Sequence, residues 1–431
     1  MKRACFINLG CKVNKYEIDC MANLFKKQGY EVFTRLQDAD VYVVNTCAVT
    51  QEAEKKSRQY IAKVNKTNPH AKIFICGCAS ERCPDQFKDK KNVVSVIGNT
   101  GKERVMEFLE KEAKEVLEQQ KYYDGLKDPL KTKTRAYLKI QDGCNNFCSY
   151  CIIPYLRGRT RSRSLSDVVL EAKEIAKDNK EIILTGIDIS SYKVTTEEKS
   201  KYVKEFGGET VCDLAVLMQA LSDINARIGL SSFEVSIIDK DFLECLKRMP
   251  NFLPHFHLSL QSGSNRILHL MNRKYTRKDY INRAKLIYKY FPEANITTDI
   301  IVGFPTETEK DFRDSKNIVK KVKFGDLHIF PYSHRSGTVA STMPDLPNDI
   351  KKDRLHRLEK VGEKMRTRYL KRCLGKTFDL LAEDEEDGYI TGYTENYVKV
   401  FLPEHKKIKN GDMVKIKAVG IKNNGILGER I

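Results

Sequence analysis

The first hundred residues repeat one local pattern three times. A short apolar run ends in a cysteine-bearing loop, and a polar or amphipathic stretch follows. Cys5–Leu9 leads to Gly10-Cys11, Val41–Asn45 to Thr46-Cys47, and Ile73–Ile75 to Cys76-Gly77-Cys78. Between them, Tyr16–Gln28 and Glu52–Val64 carry apolar residues at helical spacing. Strands that alternate with helices pair in parallel through crossovers, so this pattern predicts a small α/β domain. Val105, Phe108, Leu109, Val116 and Leu117 share one helical face and predict a single helix over Lys102–Gln120. A polar connector with Gly125 and Pro129 then predicts a domain boundary.

A second series starts at Ala136. Strands are expected at Ala136–Gln141, Glu181–Thr185, Gly229–Val235, His255–Leu260, Ile296–Val302 and Asp326–Phe330. Helices such as Leu165–Asp178, Tyr280–Tyr290 and Glu309–Val322 fall between them. Six strand–helix units suggest a partial (β/α)6 barrel. Val194–Thr210 reads as a charged surface loop, and Asp349–Cys373 as a long basic helix. The last 55 or so residues change character. Short strand candidates at Phe378–Leu381, Tyr389–Tyr393, Val398–Phe401, Met413–Val419 and Ile426–Leu427 meet turns at Asp387-Gly388, Asn410-Gly411 and Asn424-Gly425. They suggest a small antiparallel β-barrel. The fold class is therefore α/β with a terminal barrel. The expected division is 1–120, a linker at 121–134, 135–368 and 369–431.

No apolar run approaches the roughly 18 residues of a membrane span, and Met1–Cys11 is too weakly apolar for a signal peptide. We expect a soluble, cytoplasmic chain, with nothing that demands an oligomer. The formal charge of +18 favours a polyanionic partner. Thirteen cysteines in such a chain suit metal or redox chemistry better than disulfides, and eight histidines show no zinc-finger pairing.

Three of those cysteines sit in eight residues. Cys144, Cys148 and Cys151 have the spacing CxxxCxxC directly after the first barrel strand. Thiolates are soft ligands that suit iron–sulfur clusters, and three of them can hold three irons of a 4Fe–4S cluster while the fourth stays open. Zinc or a passive electron-transfer cluster is the alternative. Cys11, Cys47 and Cys78 each end a strand of the first domain, where loops of a parallel sheet converge. They can form a second ligand set or simply pack. Cys76 and Cys83 compete with Cys78 as the third member, and Cys5, Cys20, Cys212, Cys245 and Cys373 read as structural.

The CxxxCxxC segment resembles the radical S-adenosylmethionine superfamily. Leu9–Asn14, Asn45–Val49 and Gly77-Cys78-Ala79 look like the amino-terminal domain of the methylthiotransferases within it. Cys151-Ile152-Ile153-Pro154, Arg157-Gly158, Gln261–Ser264, Met271-Asn272-Arg273, Gly303–Thr308 and Phe330–Ser333 also match, and the terminal barrel is similar to the family's RNA-binding TRAM domain. Ala79-Ser80-Glu81 is not the commoner continuation. Gly10-Cys11-Lys12-Val13-Asn14 looks like the branch that modifies N6-threonylcarbamoyladenosine at position 37 of tRNA. The branches acting on isopentenyladenosine in tRNA or on a ribosomal protein differ at this motif. The resemblance implies two 4Fe–4S clusters, S-adenosylmethionine used both as methyl donor and as radical source, an electron donor protein and a sulfur source. A zinc-containing RNA-binding protein without catalysis is the rival from another class.

The resemblance also nominates residues beside the cofactor. Tyr150 is expected near the adenine, Gly186 near the amino group and Arg273 near the carboxylate, with Ser232, Gln261 and Asp299 at strand positions facing it. Ordinary barrel-interior packing is the alternative for each. Arg157, Arg159, Arg161 and Arg163 alternate, and in an extended segment they would present one face to RNA phosphates. Lys351, Lys352, Arg354, Arg357 and Arg368 offer a second basic surface, and Tyr389, Tyr393 and Tyr397 of the terminal barrel are candidates to stack on bases.

Overall fold

The computed structural model describes residues 1–431 apart from 121, 122, 124, 133, 209, 210 and 404–406. Part of the expected linker and the last two residues of the Val194–Thr210 segment thus lie outside the described residues. The first sheet contains β1 (Arg3–Asn8), β2 (Glu31–Phe33), β3 (Val41–Thr46), β4 (Lys72–Gly77) and β5 (Val93–Val96), all parallel, in the order β2-β1-β3-β4-β5. Its strands read as continuous apolar runs because both faces are covered. Phe6, Val43, Phe74 and Cys76 join the large core that includes Tyr16 and Phe25 of helix Lys12–Lys27. Ile7, Val44, Ile73 and Ile75 pack with Ile61 and Val64 of helix Gln51–Thr67.

The middle of the chain supplies β6 (Arg135–Lys139), β7 (Gln141–Asp142), β8 (Arg161–Ser162), β9 (Glu181–Thr185), β10 (Arg227–Leu230), β11 (His255–His257), β12 (Asn295–Val302) and β13 (Asp326–Pro331). The triplets β6-β9-β10 and β11-β12-β13 are parallel sheets. Single parallel bridges, Ile228 to Phe252 and Phe233 to Leu258, connect them. Six strands therefore follow one another in chain order as an incomplete barrel. The short antiparallel pair β7–β8 clamps the base of the CxxxCxxC loop.

Helix Asn348–Cys373 packs along β13 and leads into β14 (Thr377–Glu386), β15 (Tyr389–Tyr393), β16 (Lys399–Pro403), β17 (Met413–Lys422) and β18 (Gly425–Arg430). These close into a barrel in the order β14-β15-β16-β18-β17. One seam, β16–β18, is parallel. A closed ring with an odd number of strands cannot alternate direction everywhere, so one such seam is unavoidable. Asp387 and Gly388 both have positive φ in the first hairpin, as its two-residue turn requires. The last hairpin turns at Asn423-Asn424, one residue earlier than expected, and Gly425 opens β18.

Two expected elements differ. The helix over Lys102–Gln120 is a short 3-10 turn plus Val105–Lys111. Glu112 takes a left-handed conformation and ends it, and the Ala113 carbonyl then accepts the Val96 amide at the edge of β5. Val116 and Leu117 still pack inward, over Gly98 and Gly101, but from non-helical chain. Conversely, the expected loop Val194–Thr210 contains helix Thr196–Phe206, started by a capping box between Thr195 and Glu198. Its Tyr202 is buried and accepts a hydrogen bond from Arg248 at 2.9 Å.

Candidate active site

The CxxxCxxC loop is shaped by backbone constraints before any ligand is considered. Gly143 has φ +72°, and a Cβ there would lie 2.0 Å from the Arg159 carbonyl oxygen, so the two ends of the loop meet at this glycine. Gln141 Nε2 donates to the Gly143 carbonyl and to Thr160 Oγ1. From the other side, Asn272 Nδ2 donates to the carbonyls of Asn146 and Phe147 at 3.1 and 3.0 Å, and the Ser149 amide donates to the Met271 carbonyl. The thiols of Cys144, Cys148 and Cys151 are thereby gathered closely enough to affect one another's charge. Burial pushes the Cys144 and Cys151 thiols up to about 12. They ionise there when a metal supplies the compensating charge.

Most of the expected cofactor neighbours lie around this loop. Arg273 Nη1 donates to Cys148 Sγ at 3.3 Å, and its Nη2 pairs with Glu234 at 2.9 Å. Tyr150 packs against the apolar group of Ile267, Met271, Phe304 and Tyr332. Ser232 Oγ lies 2.9 Å from Ser259 Oγ, and Arg273 reaches the Ser259 carbonyl. A Cβ on Gly186 would sit 2.8 Å from Gln141 Oε1 and 3.0 Å from the Gln141 carbonyl oxygen, so a larger residue would force its neighbours to shift. Gln261 has φ +66° and its amide donates to the Asp299 carbonyl. The Asp299 side chain stands apart: its carboxylate accepts from His257 and His328 at 3.1 and 3.2 Å. Asp188 and Glu234 escaped the sequence reading. Asn146 Nδ2 donates to both at 3.1 Å, and burial raises both carboxyl pKa values. Their position just beyond β9 and β10, two residues after Gly186 and Ser232, was the available signal.

The second trio comes from three loops. Cys11, Cys47 and Cys78 follow β1, β3 and β4, which are neighbours in the sheet; Cys47 feels the charge of Cys78 and Cys11, and Cys11 that of Cys78. The end of β4 separates the candidates. Cys76 points into the large core from the strand, whereas the chain turns at Gly77 (φ +106°) and places Cys78, at the start of helix Cys78–Arg82, in the opposite cluster. Burial pushes Cys47 up to about 12.

Arg157 links the two trios. Six residues after Cys151, it is almost fully buried and reaches into the first domain. Its Nε donates to Cys78 Sγ at 3.4 Å, Nη1 to Glu17 Oε1 at 2.8 Å and Nη2 to Asn14 Oδ1 at 2.8 Å. Glu17 also accepts from Lys102 at 2.5 Å and Lys139 at 2.7 Å, and Lys139 bridges to Asp142 at 2.7 Å. Four cations, Arg157, Lys102, Lys139 and Arg161, thus share two carboxylates, and Arg157 brings the network's surplus positive charge to the Cys78 sulfur. The expected phosphate-facing row of arginines is corrected accordingly. Arg157 and Arg163 are buried, the latter against Asp167 and Glu171, while Arg159 is exposed and Arg161 is half-buried against Asp142. The four do not share one extended segment: Arg157 ends helix Ile153–Arg157, Gly158 turns with φ +72°, and only Arg161 lies in β8.

Two further expectations fail for similar reasons. Lys351 pairs with Asp345, Arg354 with buried Glu307, and Arg357 with Glu309 and Asp353, which leaves Lys352 and Arg368 as exposed members of that set. Tyr393 stacks on Tyr397 at 4.6 Å, Tyr397 stacks on His255 at 4.7 Å, and Arg135 lies over both tyrosines. These half-buried rings seat the terminal barrel on the central one and so do not form a free stacking platform on the barrel's outer face. Tyr389 instead packs on Phe401 and under Lys422.

Comparison with known proteins agrees with this geometry. Residues 3–98 match the family described as Uncharacterized protein family UPF0004, and residues 138–318 match the Radical SAM superfamily. The threonylcarbamoyladenosine tRNA methylthiotransferase MtaB of Bacillus subtilis (strain 168) is 36% identical over 97% of this chain and 94% of its own length. The chain belongs to the methylthiotransferase family of radical S-adenosylmethionine enzymes. Another methylthiotransferase, the tRNA-2-methylthio-N(6)-dimethylallyladenosine synthase of Geobacillus thermodenitrificans, is 32% identical over 97% of this chain and 82% of its own length. Among solved structures, the radical S-adenosylmethionine methyltransferase TsrM from Kitasatospora setae, with cobalamin and a 4Fe-4S cluster bound, aligns with a TM-score of 0.53. The two share 13% identity over 79% of this chain and 77% of that one, which is a likeness of fold alone.

The donor set suits the cofactors of a radical S-adenosylmethionine methylthiotransferase. Each site offers soft sulfur and no oxygen cage, and an arginine donates to one sulfur in each. A single zinc ion holds its sulfurs at about 2.3 Å, hence within about 4 Å of one another. Among the described residues, the one group of three His, Cys, Asp or Glu ligand atoms within 4.8 Å of one another is His257, Asp299 and His328, so neither cysteine trio has contracted to single-ion spacing. No helix among the described residues is long and apolar enough to cross a membrane.

Proposed function

We propose that this chain is a tRNA methylthiotransferase that converts N6-threonylcarbamoyladenosine at position 37 to its 2-methylthio derivative. The observation that carries this is buried Arg157, six residues after Cys151, whose Nε donates to Cys78 Sγ of the first-domain trio at 3.4 Å. In this reading Cys144, Cys148 and Cys151 hold one 4Fe–4S cluster with S-adenosylmethionine beside it, and Cys11, Cys47 and Cys78 hold a second. When bound, these groups supply the one-electron and sulfur chemistry that an adenine C2–H bond, lacking useful acidity, requires. The chain's own residues supply position and surroundings. Arg273 and Arg157 place a fixed cation against one sulfur of each trio. Gly186 leaves room at the end of β9, Tyr150 closes the site with an apolar wall, and Ser232, Gln261 and Glu234 line the strand ends. Held on rigid strand ends, the two sites keep the base and both cofactors in register. The enzyme acts in the cytoplasm with an electron donor protein and a sulfur source, and Arg159 with other exposed cations meets the RNA. The domain division proposed is 1–120, 121–134, 135–368 and 369–431.

The test has two parts. Anaerobically reconstituted enzyme should hold roughly eight irons per chain, and Cys148→Ala or Cys47→Ala should each remove about half. Zinc in place of iron would support a non-catalytic RNA-binding protein. Nucleosides from tRNA of cells with and without the gene should then differ in 2-methylthio-N6-threonylcarbamoyladenosine, with its precursor accumulating in the deletion. Loss of the methylthio-dimethylallyl nucleoside would keep the chemistry and overturn the substrate. No change in either nucleoside would redirect the search to ribosomal proteins.

A further inference from the structure

A cavity of about 410 Å³ opens between the central and terminal barrels, with Lys12 of the first domain in its wall. That volume lies in the range of small-molecule sites. Its wall carries Lys12, His255, His257, Thr297, His328 and Tyr397. Lys12 is the residue next to Cys11, half-buried at this wall. Among the described residues, its ammonium makes no hydrogen bond, ion pair or ring contact. The other Lys and Arg side chains of the wall are already engaged: Arg366 with Asp326 and Lys399 with Glu386. Asp299 behind the wall is held by His257 and His328, and Thr297 Oγ1 meets ring nitrogens of His255 and His257 at 2.9 and 2.8 Å. The cavity is thus polar, with one cation in want of an anion.

We propose that this cavity, with Lys12 as its anchor, is the subsite for a carboxylate-bearing arm on N6 of the substrate adenine. The proposal rests on the substrate reading above and deepens it. In an adenine ring, C2 and C6 flank the same nitrogen. A base that turns C2 toward the Cys11 trio therefore carries its N6 substituent sideways, within reach of the residue that follows Cys11. A threonylcarbamoyl arm brings one carboxylate, one hydroxyl and a carbamoyl group. The carboxylate pairs with the Lys12 ammonium, and the remaining polar atoms meet Thr297 and the histidines. A dimethylallyl arm offers none of these and would leave the lysine desolvated without a partner. A site built for polar groups rejects an analogue that lacks them far more strongly than an apolar pocket rejects an extra methylene.

The probe is binding, read without turnover. Anticodon stem-loop RNAs carrying N6-threonylcarbamoyladenosine, its neutral carboxamide analogue or dimethylallyladenosine at position 37 are titrated into the whole cluster-loaded enzyme. The native protein should bind the carboxylate form about 10-fold or more tighter than the carboxamide, the discrimination expected of a charge-assisted hydrogen bond. Lys12→Gln should bring the two affinities together, and Lys12→Arg should keep them apart. Equal binding of carboxylate and carboxamide by the native enzyme, or an undiminished preference in Lys12→Gln, would overturn the subsite while leaving the substrate assignment to the nucleoside analysis. Tighter native binding of the dimethylallyl RNA would overturn both.

Discussion

Glu17 shows how much of this protein's site is decided at the scale of single side chains. In the sequence it is one acidic residue in an amphipathic helix. In the fold it is buried and accepts from Arg157, Lys102 and Lys139. Burial alone would raise its pKa, but the charges of Arg157, Lys102 and Lys139 outweigh that and hold it well below the ordinary carboxylate range. Burial opposes ionisation of Asp142 too, and Lys139 and Arg157 bring it to about 2. Both folded pKa values lie below those of the unfolded chain, about 4. Their contribution to stability is thus complete above about pH 4 and is lost as pH falls toward about 2. Glu17→Gln leaves Lys102 without its carboxylate and Lys139 and Arg157 to Asp142 alone, and removing one partner of a buried ion pair costs about 3–5 kcal/mol. Denaturant unfolding at pH 7 should show that loss, and the variant's stability should fall less steeply between pH 4 and 2 than the native protein's. An unchanged midpoint would mean the group is not stabilising.

At the scale of elements, the helical and strand periods were legible because they are local, and departures arose where a local signal met a neighbour. Val116 and Leu117 fit the helical face of Val105–Leu109, yet the edge amide of β5 takes the Ala113 carbonyl and the chain leaves the helix. Thr195 and Glu198 carried a capping box in plain sight, and the charge of the segment hid it. The CxxxCxxC loop is the element on which chemistry depends most, and Gly143 is its hinge point. Gly143→Ala would drive a Cβ against the Arg159 carbonyl and force a left-handed conformation, a strain of about 1–3 kcal/mol before any relaxation. We expect iron per chain to fall toward about half after reconstitution, with the first-domain trio still loaded. A full iron complement in this variant would show that the loop relaxes without losing its ligand geometry.

For the whole molecule, the charge of +18 overstates the RNA-binding surface, because many cations are spent internally. Arg135 and Arg227 share Glu181 beneath the terminal barrel, and the Arg135–Tyr393–Tyr397–His255 stack holds that barrel in place. In the proposed RNA role, the exposed remainder is the part left to contact phosphate. With about six phosphate contacts, the logarithm of the tRNA association constant should fall with log salt at a slope near −4 to −5. Arg159→Ala should lower that slope by about one. Arg163→Ala, though only four residues away, should leave the slope unchanged and reduce thermal stability instead. Equal effects of both substitutions on the slope would contradict their different burial.

The sequence by itself determined the order of strands and helices, the partial barrel, the terminal barrel and the compact cysteine motif. Each of these is written in neighbouring residues, through period, turn chemistry or spacing. It also placed Cys11, Cys47 and Cys78 at strand ends. Only the tertiary structure brought those three thiols together, turned Cys76 away, drew Arg157 and Arg163 inward and left Lys12 without a counter-ion among the described residues. Those outcomes depend on which distant segments meet: burial and Coulomb energy are set by all the surroundings of a side chain, while periodicity is set by its neighbours in the chain.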